Sequence, residues 1–248
     1  MLQKGIILPD LHVPTNINLN PIIKYVADSK PDYLIFLGDN IHADALWGWH
    51  GKRPSEIKWN DLRKELHKFD AILKQFDSVL KDSCERHIWM GNHEDRIFQF
   101  MQAYPKTVVD LGSEFPHPHN YLNLTKRGFI LHATNDIFPF GKLHLTHGYN
   151  YGSEMHTKKT LYEVEANIAY GHAHSMQTFT KVSRTSTAPK AAYALPCLCS
   201  RNPEYQQGHP NRWVNGFGVF YLRPGGYFNL YVPTIVKGSF VSPEGKIY

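Results

Sequence analysis

Five short fragments of this sequence combine aspartate, asparagine or histidine with glycine or an apolar residue. Four of them directly follow an apolar run of strand length. The fragments are Asp10-Leu11-His12, Gly38-Asp39-Asn40, Gly91-Asn92-His93-Glu94, Thr146-His147-Gly148 and Gly171-His172-Ala173-His174. In open α/β sheets, ligands collect beyond the carboxyl ends of the strands, where loops that are distant in sequence meet. The fragments therefore predict a layered α/β chain whose loops build one shared site.

The residues in these fragments are of the types that bind divalent metal ions. Asp10 and His12 are two residues apart, so on a strand they would point to the same face, and His172 and His174 repeat that spacing. Carboxylate oxygen, amide oxygen and imidazole nitrogen suit divalent ions, and two such ions side by side suit attack on a phosphoryl group. The fragments thus indicate a two-metal centre.

A glycine precedes a candidate ligand in three of the fragments, at Gly38, Gly91 and Gly171. Glycine lets the backbone turn sharply and come close to an ion or a phosphate. We therefore expect these loops to approach the site closely.

Together the fragments resemble the signature of the calcineurin-like metallophosphoesterase superfamily, which reads D-x-H, then G-D, then G-N-H-[D/E], then H, then G-H-x-H. All five pieces occur here in the family order, from Asp10 to His174. The resemblance implies a four-layer α/β/β/α sandwich, in which two mixed β-sheets pack face to face and the helices lie outside.

The resemblance also implies two sets of metal ligands that share one carboxylate. The first ion would be held by Asp10, His12 and His174. The second ion would be held by Asn92, His147 and His172. Asp39 would bridge the two ions. Mn²⁺ is the metal that the resemblance favours, and iron, zinc, cobalt or nickel are alternatives because mixed oxygen and imidazole ligands accept all of them.

Two residues of the third fragment carry catalytic expectations. His93 matches the family histidine that faces the scissile phosphate without binding metal, where it protonates the leaving oxygen or stabilises its charge. A general acid typically contributes about 10² to 10⁴ in rate. Glu94 matches the acidic neighbour that helps to orient the loop, although an acid in a first helical turn also favours a helix N-terminus.

One departure from the family pattern narrows the predicted activity. Protein serine/threonine phosphatases of the superfamily carry G-D-x-x-D-R-G, whereas this chain has Gly38-Asp39-Asn40-Ile41-His42-Ala43-Asp44. The pattern favours the nuclease and phosphodiesterase branches, and hence a phosphodiesterase that acts on nucleic acid or nucleotides through a metal-bridging hydroxide. The alternatives are a phosphomonoesterase on a small molecule and a catalytically silent, metal-binding interaction scaffold.

Substrate choice is expected to depend on loops around the metals, because the metal chemistry is indifferent to what the phosphate carries. Residues 41–60 form a candidate substrate loop that contains Trp47 and Trp49 among basic residues. In such a loop the aromatic rings can stack on bases while the basic side chains pair with phosphates. Alternatively, the two rings pack under the loop. Arg96 would clamp a phosphate through its bidentate fork or pair with a carboxylate.

Histidine alone is weak evidence, because the chain contains 15 of them. We expect His50, His67, His117, His119, His132, His144 and His209 to be ordinary surface or core residues. His42 and Asp44 lie just past Asp39 and can reach its neighbours through hydrogen bonds that orient the ligands.

Composition sets the outer limits of these predictions. A chain of 248 residues with 42% hydrophobic content can bury a full core, which favours one domain over residues 1–248. The net charge of +5 is compatible with a nucleic acid substrate, either DNA or RNA, or with a nucleotide, without requiring one. Three cysteines without a paired C-x-x-C element indicate buried thiols rather than a disulfide framework or a structural zinc site.

Periodicity predicts the order of the main elements. Strands are expected at Gly5–Leu8, Tyr33–Leu37, His87–Met90, Phe129–Leu131, Leu143–Leu145 and Ala169–Tyr170. Helices are expected from Asn20 to Ser29, from Asp61 to Leu80, from near Glu94, and from Thr157 to Ile168. Residues 175–248 are expected to be mostly strands that complete the second sheet.

Location and partners are the least determined properties. The N-terminal residues run directly into a strand, and no apolar run approaches the length of a membrane span, so a cytoplasmic protein without a membrane partner is expected. No feature of the sequence points to a protein partner.

Overall fold

The computed structural model of the chain describes residues 1–48, 53–112, 115–149, 154–184, 186–202 and 211–248. The strands are β1 (Gln3–Leu8), β2 (Tyr33–Leu37), β3 (Glu85–Trp89), β4 (Phe129–His132), β5 (Phe138–Phe140), β6 (Leu143–Thr146), β7 (Ile168–Tyr170), β8 (Gln177–Ser183), β9 (Ser186–Ala194), β10 (Gly218–Leu222) and β11 (Phe228–Tyr231). The α-helices are α1 (Asn20–Ser29), α2 (Trp59–Asp77), α3 (Asn92–Ala103), α4 (Pro105–Leu111), α5 (Pro118–Tyr121) and α6 (His156–Val164).

The strands form two mixed sheets within these ranges. The first sheet has the order β11-β10-β1-β2-β3-β4, and its four strands β1 to β4 run parallel. The second has the order β5-β6-β7-β9-β8, and β6, β7 and β9 run parallel. The parallel strands of each sheet therefore end at a common edge.

Alternate side chains of the first sheet belong to two different cores. Ile7 and Ile35 pack in the layer between the sheets, with Leu145 and Ala169 of the second sheet. Their neighbours in β1 and β2 face the opposite side, toward the helices. Because both faces of these strands are covered there, β2 and residues 6–8 of β1 have continuous apolar sequences rather than alternating ones.

Helices cover the outer face of each sheet. The side chains of α1, α2 and α3 pack on the first sheet through residues spaced three or four apart, such as Leu62, Leu66 and Phe69 of α2. Leu161 of α6 packs against Tyr170 and other residues of the second sheet. The result is the four-layer α/β/β/α sandwich. None of the helices in the described ranges combines the length and apolar character that crossing a membrane requires.

The prediction for residues 175–248 was wrong in one respect. β8 and β9 join the second sheet, but β10 and β11 extend the first sheet, with β10 antiparallel to β1. β10 has an apolar sequence that would fit either sheet, so its partner depends on packing over more than 200 residues of sequence separation rather than on its own pattern.

Candidate metal centre

The seven predicted ligands all lie just beyond the carboxyl ends of five strands. Asp10 and His12 follow β1, Asp39 follows β2, and Asn92 begins α3 just after β3. In the second sheet, His147 follows β6, and the pair His172 and His174 follows β7. These strands run parallel within their own sheets, so the loops of both sheets converge on one region.

The side chains come together as two groups that share Asp39. The ligand atoms of Asp10, His12, Asp39 and His174 lie within 4.8 Å of one another. Those of Asp39, His147 and His172 do so as well. The amide oxygen of Asn92 lies 3.1 Å from Nε2 of His147, beside the second group. The structure therefore brings all seven residues together, in the two sets that the resemblance implies.

Distances within the groups are those of donor atoms crowded around a common centre. The Nε2 atoms of His12 and His174 are 3.0 Å apart. The two carboxylate oxygens of Asp39 point in different directions, with Oδ2 3.5 Å from Nε2 of His12 and Oδ1 3.4 Å from Nε2 of His147. One carboxylate thus faces both groups, as a bridging ligand must.

Backbone conformation is unusual at most of these positions. Five of the seven residues have positive φ angles, between 47° and 63°, namely Asp10, His12, Asp39, His172 and His174. Such a conformation costs a non-glycine residue about 1–3 kcal/mol and occurs mainly at functional sites, where the surrounding structure maintains it. In these loops, the left-handed conformation accompanies side chains that all point toward one centre.

Close approach explains the three glycines that precede ligands. A methyl group on Gly91 would overlap Oδ1 and the backbone nitrogen of Asp39, and one on Gly171 would overlap Oδ2 of Asp10. Gly38 has a φ of +87°, and a methyl group there would overlap the ring of His147. The glycines were expected to admit an ion or phosphate, but in the structure they make room for ligand side chains.

Hydrogen bonds from outside the groups fix how several ligands face the centre. Nδ1 of His147 is 2.9 Å from the carbonyl oxygen of Leu37, to which it donates, so Nε2 is left for a metal ion. The backbone N–H of His172 donates to the Asp10 carboxylate at 2.9 Å. The backbone N–H of His93 donates to Oδ1 of Asp39 at 3.0 Å.

Burial and charge determine the protonation of the centre. Burial lowers the pKa of His12 well below 6.5 and that of His172 to about 4, so both imidazoles are neutral, which is the form that binds a cation. Burial also acts on His147, but the Asp39 carboxylate outweighs it and raises the pKa of His147 to about 9. The buried carboxylate of Asp39 is thus stabilised by positive charge, which is the role a cation would take.

The donor set therefore fits divalent metal ions. It combines two buried carboxylates, one amide oxygen and four imidazoles, which is the mixed oxygen and nitrogen set that first-row divalent ions accept. Asp10, His12, Asp39 and His174 would hold one ion, and Asp39, Asn92, His147 and His172 the other.

His93 lies at the edge of the first group without belonging to it. Its Nδ1 donates to the carbonyl oxygen of His42 at 2.6 Å, and its Nε2 lies 3.9 Å from Oδ2 of Asp39. Burial lowers the pKa of His93, although Asp39 acts in the opposite direction. The ring therefore directs Nε2, rather than Nδ1, toward the carboxylate that the two groups share.

Glu94 is buried and faces backbone amides rather than the centre. Its Oε1 accepts N–H groups of Asn40 and Ile41 at 2.7 and 3.0 Å, and its Oε2 accepts that of Gly91 at 2.8 Å. The carboxylate thus joins the loop after β2 to the loop after β3. Sequence reasoning placed Glu94 with His93 among the catalytic residues and also as a residue that orients the loop, and these contacts are of the orienting kind.

The same loop has a second buried carboxylate that sequence reasoning did not identify. Glu65 of α2 accepts the N–H of Ala43 at 2.6 Å, and burial raises the pKa of its carboxyl group to about 7. A signal for it was available, because Glu65 occupies a position on the apolar face of α2, between Leu62 and Leu66. An acid at such a position requires a buried partner.

Two of the three predicted substrate-binding residues lie together beside His93. The guanidinium of Arg96 lies 4.7 Å from the centre of the Trp47 ring, and its Nη1 donates to the carbonyl oxygen of His42 at 3.3 Å. Trp47 is 65% exposed, so it is not packed under the loop. Trp49 lies outside the described residues.

Two further residues contact His174, and the sequence predicted this contact for neither of them. The ring of Trp213 lies 4.3 Å from the ring of His174, edge to face. The buried thiol of Cys199 lies 3.9 Å from Nδ1 of the same histidine. No local sequence motif announces either contact. Both residues belong to segments that follow His174 in the chain and come close to it only in the fold.

Comparisons with known proteins found similarity among solved structures at low sequence identity. No protein-family model matches the sequence, and no curated protein matches it. Among solved structures, a single-mutant Vps29 from Entamoeba histolytica is 13% identical with a TM-score of 0.49, covering 100% of this chain and 97% of that chain. Wild-type Vps29 from the same organism, complexed with Zn²⁺, is 13% identical with a TM-score of 0.48 and the same coverage. Vps29 from Chaetomium thermophilum is 11% identical with a TM-score of 0.47, covering 99% of this chain and 94% of that chain.

Proposed function

We propose that this chain is a dinuclear metal-dependent phosphoester hydrolase of the calcineurin-like type, and that its substrates are nucleotides or nucleic acid. The observation that carries the proposal is the position of Asp39, whose carboxylate faces two separate groups of imidazole and carboxylate donors. A lone structural metal site would need only one such group.

Two bound ions would supply Lewis acidity toward phosphoryl oxygens and would lower the pKa of water from 15.7 toward about 7. The side chains of the centre hold the complementary geometry. Asp39 is oriented by the backbone N–H of His93, and Asp10 by that of His172. Because each carboxylate is held in place before a substrate arrives, little reorganisation is required during the reaction.

His93 is the residue that we assign to the leaving group. Its Nδ1 proton is committed to the carbonyl oxygen of His42, so any proton transfer to a substrate occurs at Nε2. The alkoxide of a phosphodiester is a poor leaving group, and protonation at this position would assist its departure.

Arg96 and Trp47 form the substrate side of the proposal. Stacked against each other at 4.7 Å, they offer a planar cation for a phosphate and an exposed aromatic ring for a base. Both features together are expected of a protein that binds a nucleotide ester rather than a small phosphate monoester. We therefore propose phosphodiesters as the preferred substrates.

A catalytically silent, metal-binding scaffold is the competing function. Such a scaffold would need the donors of the centre but not an acid beside them. The presence of His93 at the centre therefore favours hydrolysis.

The test is a substrate panel with metal-depleted protein to which Mn²⁺ is restored, followed by Zn²⁺, Co²⁺ and Ni²⁺. Hydrolysis of bis-p-nitrophenyl phosphate is compared with that of p-nitrophenyl phosphate, and then single- and double-stranded DNA and RNA are tested. Asp39→Asn serves as the inactive variant, and His67→Ala, which changes an exposed histidine of α2, serves as the matched control.

Diester hydrolysis that requires metal, is lost in Asp39→Asn and persists in His67→Ala would support the proposal. A preference for monoesters without activity on polynucleotides would favour a phosphomonoesterase. Two bound ions without hydrolysis of any ester would favour the scaffold.

A further inference from the structure

His42 contacts more of the candidate centre than any role described so far explains. Its ring lies 5.2 Å from the ring of His93 in a stacked arrangement, and its Nδ1 lies 3.2 Å from Nδ1 of His12. Its carbonyl oxygen accepts hydrogen bonds from His93 and Arg96. One residue outside the seven predicted ligands thus contacts a predicted ligand, the proposed acid and a proposed substrate-binding residue.

In the hydrogen bond between His42 and His12, only one of the two rings can be the donor if His12 binds metal. Nε2 of His12 faces the centre, 3.5 Å from Oδ2 of Asp39, so as a metal ligand it must offer its lone pair there. The proton of a neutral His12 is then on Nδ1 and is donated to His42. Nδ1 of His42 must therefore be the acceptor.

The other side of the His42 ring extends this chain of contacts. With Nδ1 accepting, the proton of a neutral His42 is on Nε2, which lies 3.3 Å from Oδ2 of Asp44, at ion-pair distance. Asp44, His42 and His12 thus form one chain of contacts in which each imidazole has a single tautomer. A carboxylate at the far end makes the ligand nitrogen of His12 more basic.

The segment that carries His42 is fixed on both sides, so the ring cannot easily leave this position. The backbone N–H of His42 donates to the carbonyl oxygen of Val13 at 3.0 Å. The next residue, Ala43, has a φ of 51° and donates its N–H to the buried carboxylate of Glu65. The side chain of His42 is only 12% exposed.

We propose that His42 is a positioning residue, whose ring holds His12 in the orientation and tautomer that direct Nε2 toward the first metal ion. Its carbonyl oxygen directs Nε2 of His93 toward the same centre by accepting the Nδ1 proton. This role rests on the proposed function, since the tautomer of His12 matters only if His12 binds metal.

The test measures metal binding rather than turnover. Mn²⁺ and Zn²⁺ are titrated into metal-depleted wild-type protein, His42→Ala, His42→Asn and Asp44→Asn by calorimetry, with His67→Ala as the matched control. Loss of a hydrogen-bond partner of a metal-binding histidine typically weakens metal affinity by about 10- to 100-fold. We expect that loss in His42→Ala, for one of the two ions.

His42→Asn separates positioning from packing. The amide oxygen of asparagine can occupy about the position of Nδ1 and accept the His12 proton, so this variant should recover most of the affinity that His42→Ala loses. Asp44→Asn should show a smaller loss, because it weakens only the far end of the chain. Urea unfolding of the metal-free variants should give free energies close to that of the wild type.

Wild-type affinity for both ions in His42→Ala would overturn this role while leaving the metal centre intact. Equal losses in His42→Ala and His42→Asn, together with lower stability of the metal-free proteins, would also overturn it in favour of simple packing. A wild-type protein that binds no divalent ion would overturn the metal centre and the role of His42 together.

Discussion

Left-handed backbone at five of the seven candidate ligands is the least expected property of individual residues in this chain. Only a few per cent of non-glycine residues have positive φ angles, although aspartate and histidine are enriched among them, and here such angles occur at five residues of one site. The cost is met by hydrogen bonds and by packing from neighbouring loops. At the scale of the residue, the centre is therefore a set of side chains held in place by an atypical backbone.

His93 provides the first prediction at this scale. Replacing it with asparagine should lower kcat on bis-p-nitrophenyl phosphate by about 10² to 10⁴ because the group that serves the leaving oxygen is lost. The bond from residue 93 to Asp39 uses the backbone N–H and persists in the variant. Metal content, measured by mass spectrometry, should therefore stay at the wild-type value, and a parallel loss of metal would contradict this separation of roles.

Gly91 provides the second prediction at the scale of the residue. Gly91→Ala should weaken the binding of divalent ions because the added methyl group overlaps Oδ1 and the backbone nitrogen of Asp39 and displaces the shared carboxylate. Calorimetric titration with Mn²⁺ measures the effect. Gly238→Ala is the control, since a methyl group on Gly238 meets open space, and its metal binding should be unchanged. Equal affinity in Gly91→Ala and the wild type would show that Asp39 is not constrained in this way.

Local sequence pattern predicted which loops meet, and long-range packing made other parts of the site unpredictable. Asp10, Asp39 and His147 were expected in one region because each follows an apolar run, while their roles as ligands came from the resemblance to a known family. Trp213 and Cys199 could not, because nothing in their local sequence specifies that they meet His174. Only the fold brings these segments together.

At the scale of the element, strand and helix positions followed from periodicity because both faces of the central strands and one face of each long helix are buried. The partner of β10 could not be obtained in this way. β10 pairs with the edge of β1 that is not occupied by β2, and the sequence of β10 does not specify that edge. The loop after β2 is likewise determined by its contacts, since buried carboxylates of α2 and α3 bind its amides.

Glu65 gives a pH prediction for this loop. Mainly because of burial, the folded chain retains the proton of Glu65 up to about pH 7, whereas the unfolded chain releases it near the ordinary glutamate pKa of 4.5. The folded state therefore holds more protons between these values, and its stability falls as pH rises through the window. Glu65→Gln cannot ionise, so this loss should be absent from the variant.

The measurement is urea unfolding of metal-free wild type and Glu65→Gln at several pH values between about 4.5 and 8. The free energy of unfolding of the wild type should fall relative to that of the variant by up to about 3 kcal/mol across this range. Parallel pH profiles for the two proteins would contradict the assignment of a buried, proton-retaining carboxyl group at this position.

At the scale of the whole molecule, the centre joins the two sheets. Asp10, His12, Asp39 and Asn92 come from loops of the first sheet, while the other three candidate ligands come from the second. Metal ions bound there would link the two halves of the sandwich. Metal binding should consequently stabilise the fold as well as enable chemistry.

Thermal unfolding tests this link. Addition of Mn²⁺ at about 100 times its dissociation constant should stabilise metal-depleted protein by about 2.7 kcal/mol per ion, which corresponds to a Tm increase of about 5 to 10 °C. Asp39→Asn should show a smaller increase, because it weakens the ligand shared by both groups. An equal increase in the two proteins would mean that the metal stabilises the chain from another place.

The most direct measurement for the whole account is anomalous diffraction at the manganese edge from crystals of the protein grown with Mn²⁺. The account predicts two anomalous peaks, one on each side of the Asp39 carboxylate and about 3.5–4 Å apart. One ion would contact Asp10, His12 and His174, and the other Asn92, His147 and His172. A single peak, or peaks that Asp39 does not contact, would contradict the claim that this chain assembles a two-metal centre.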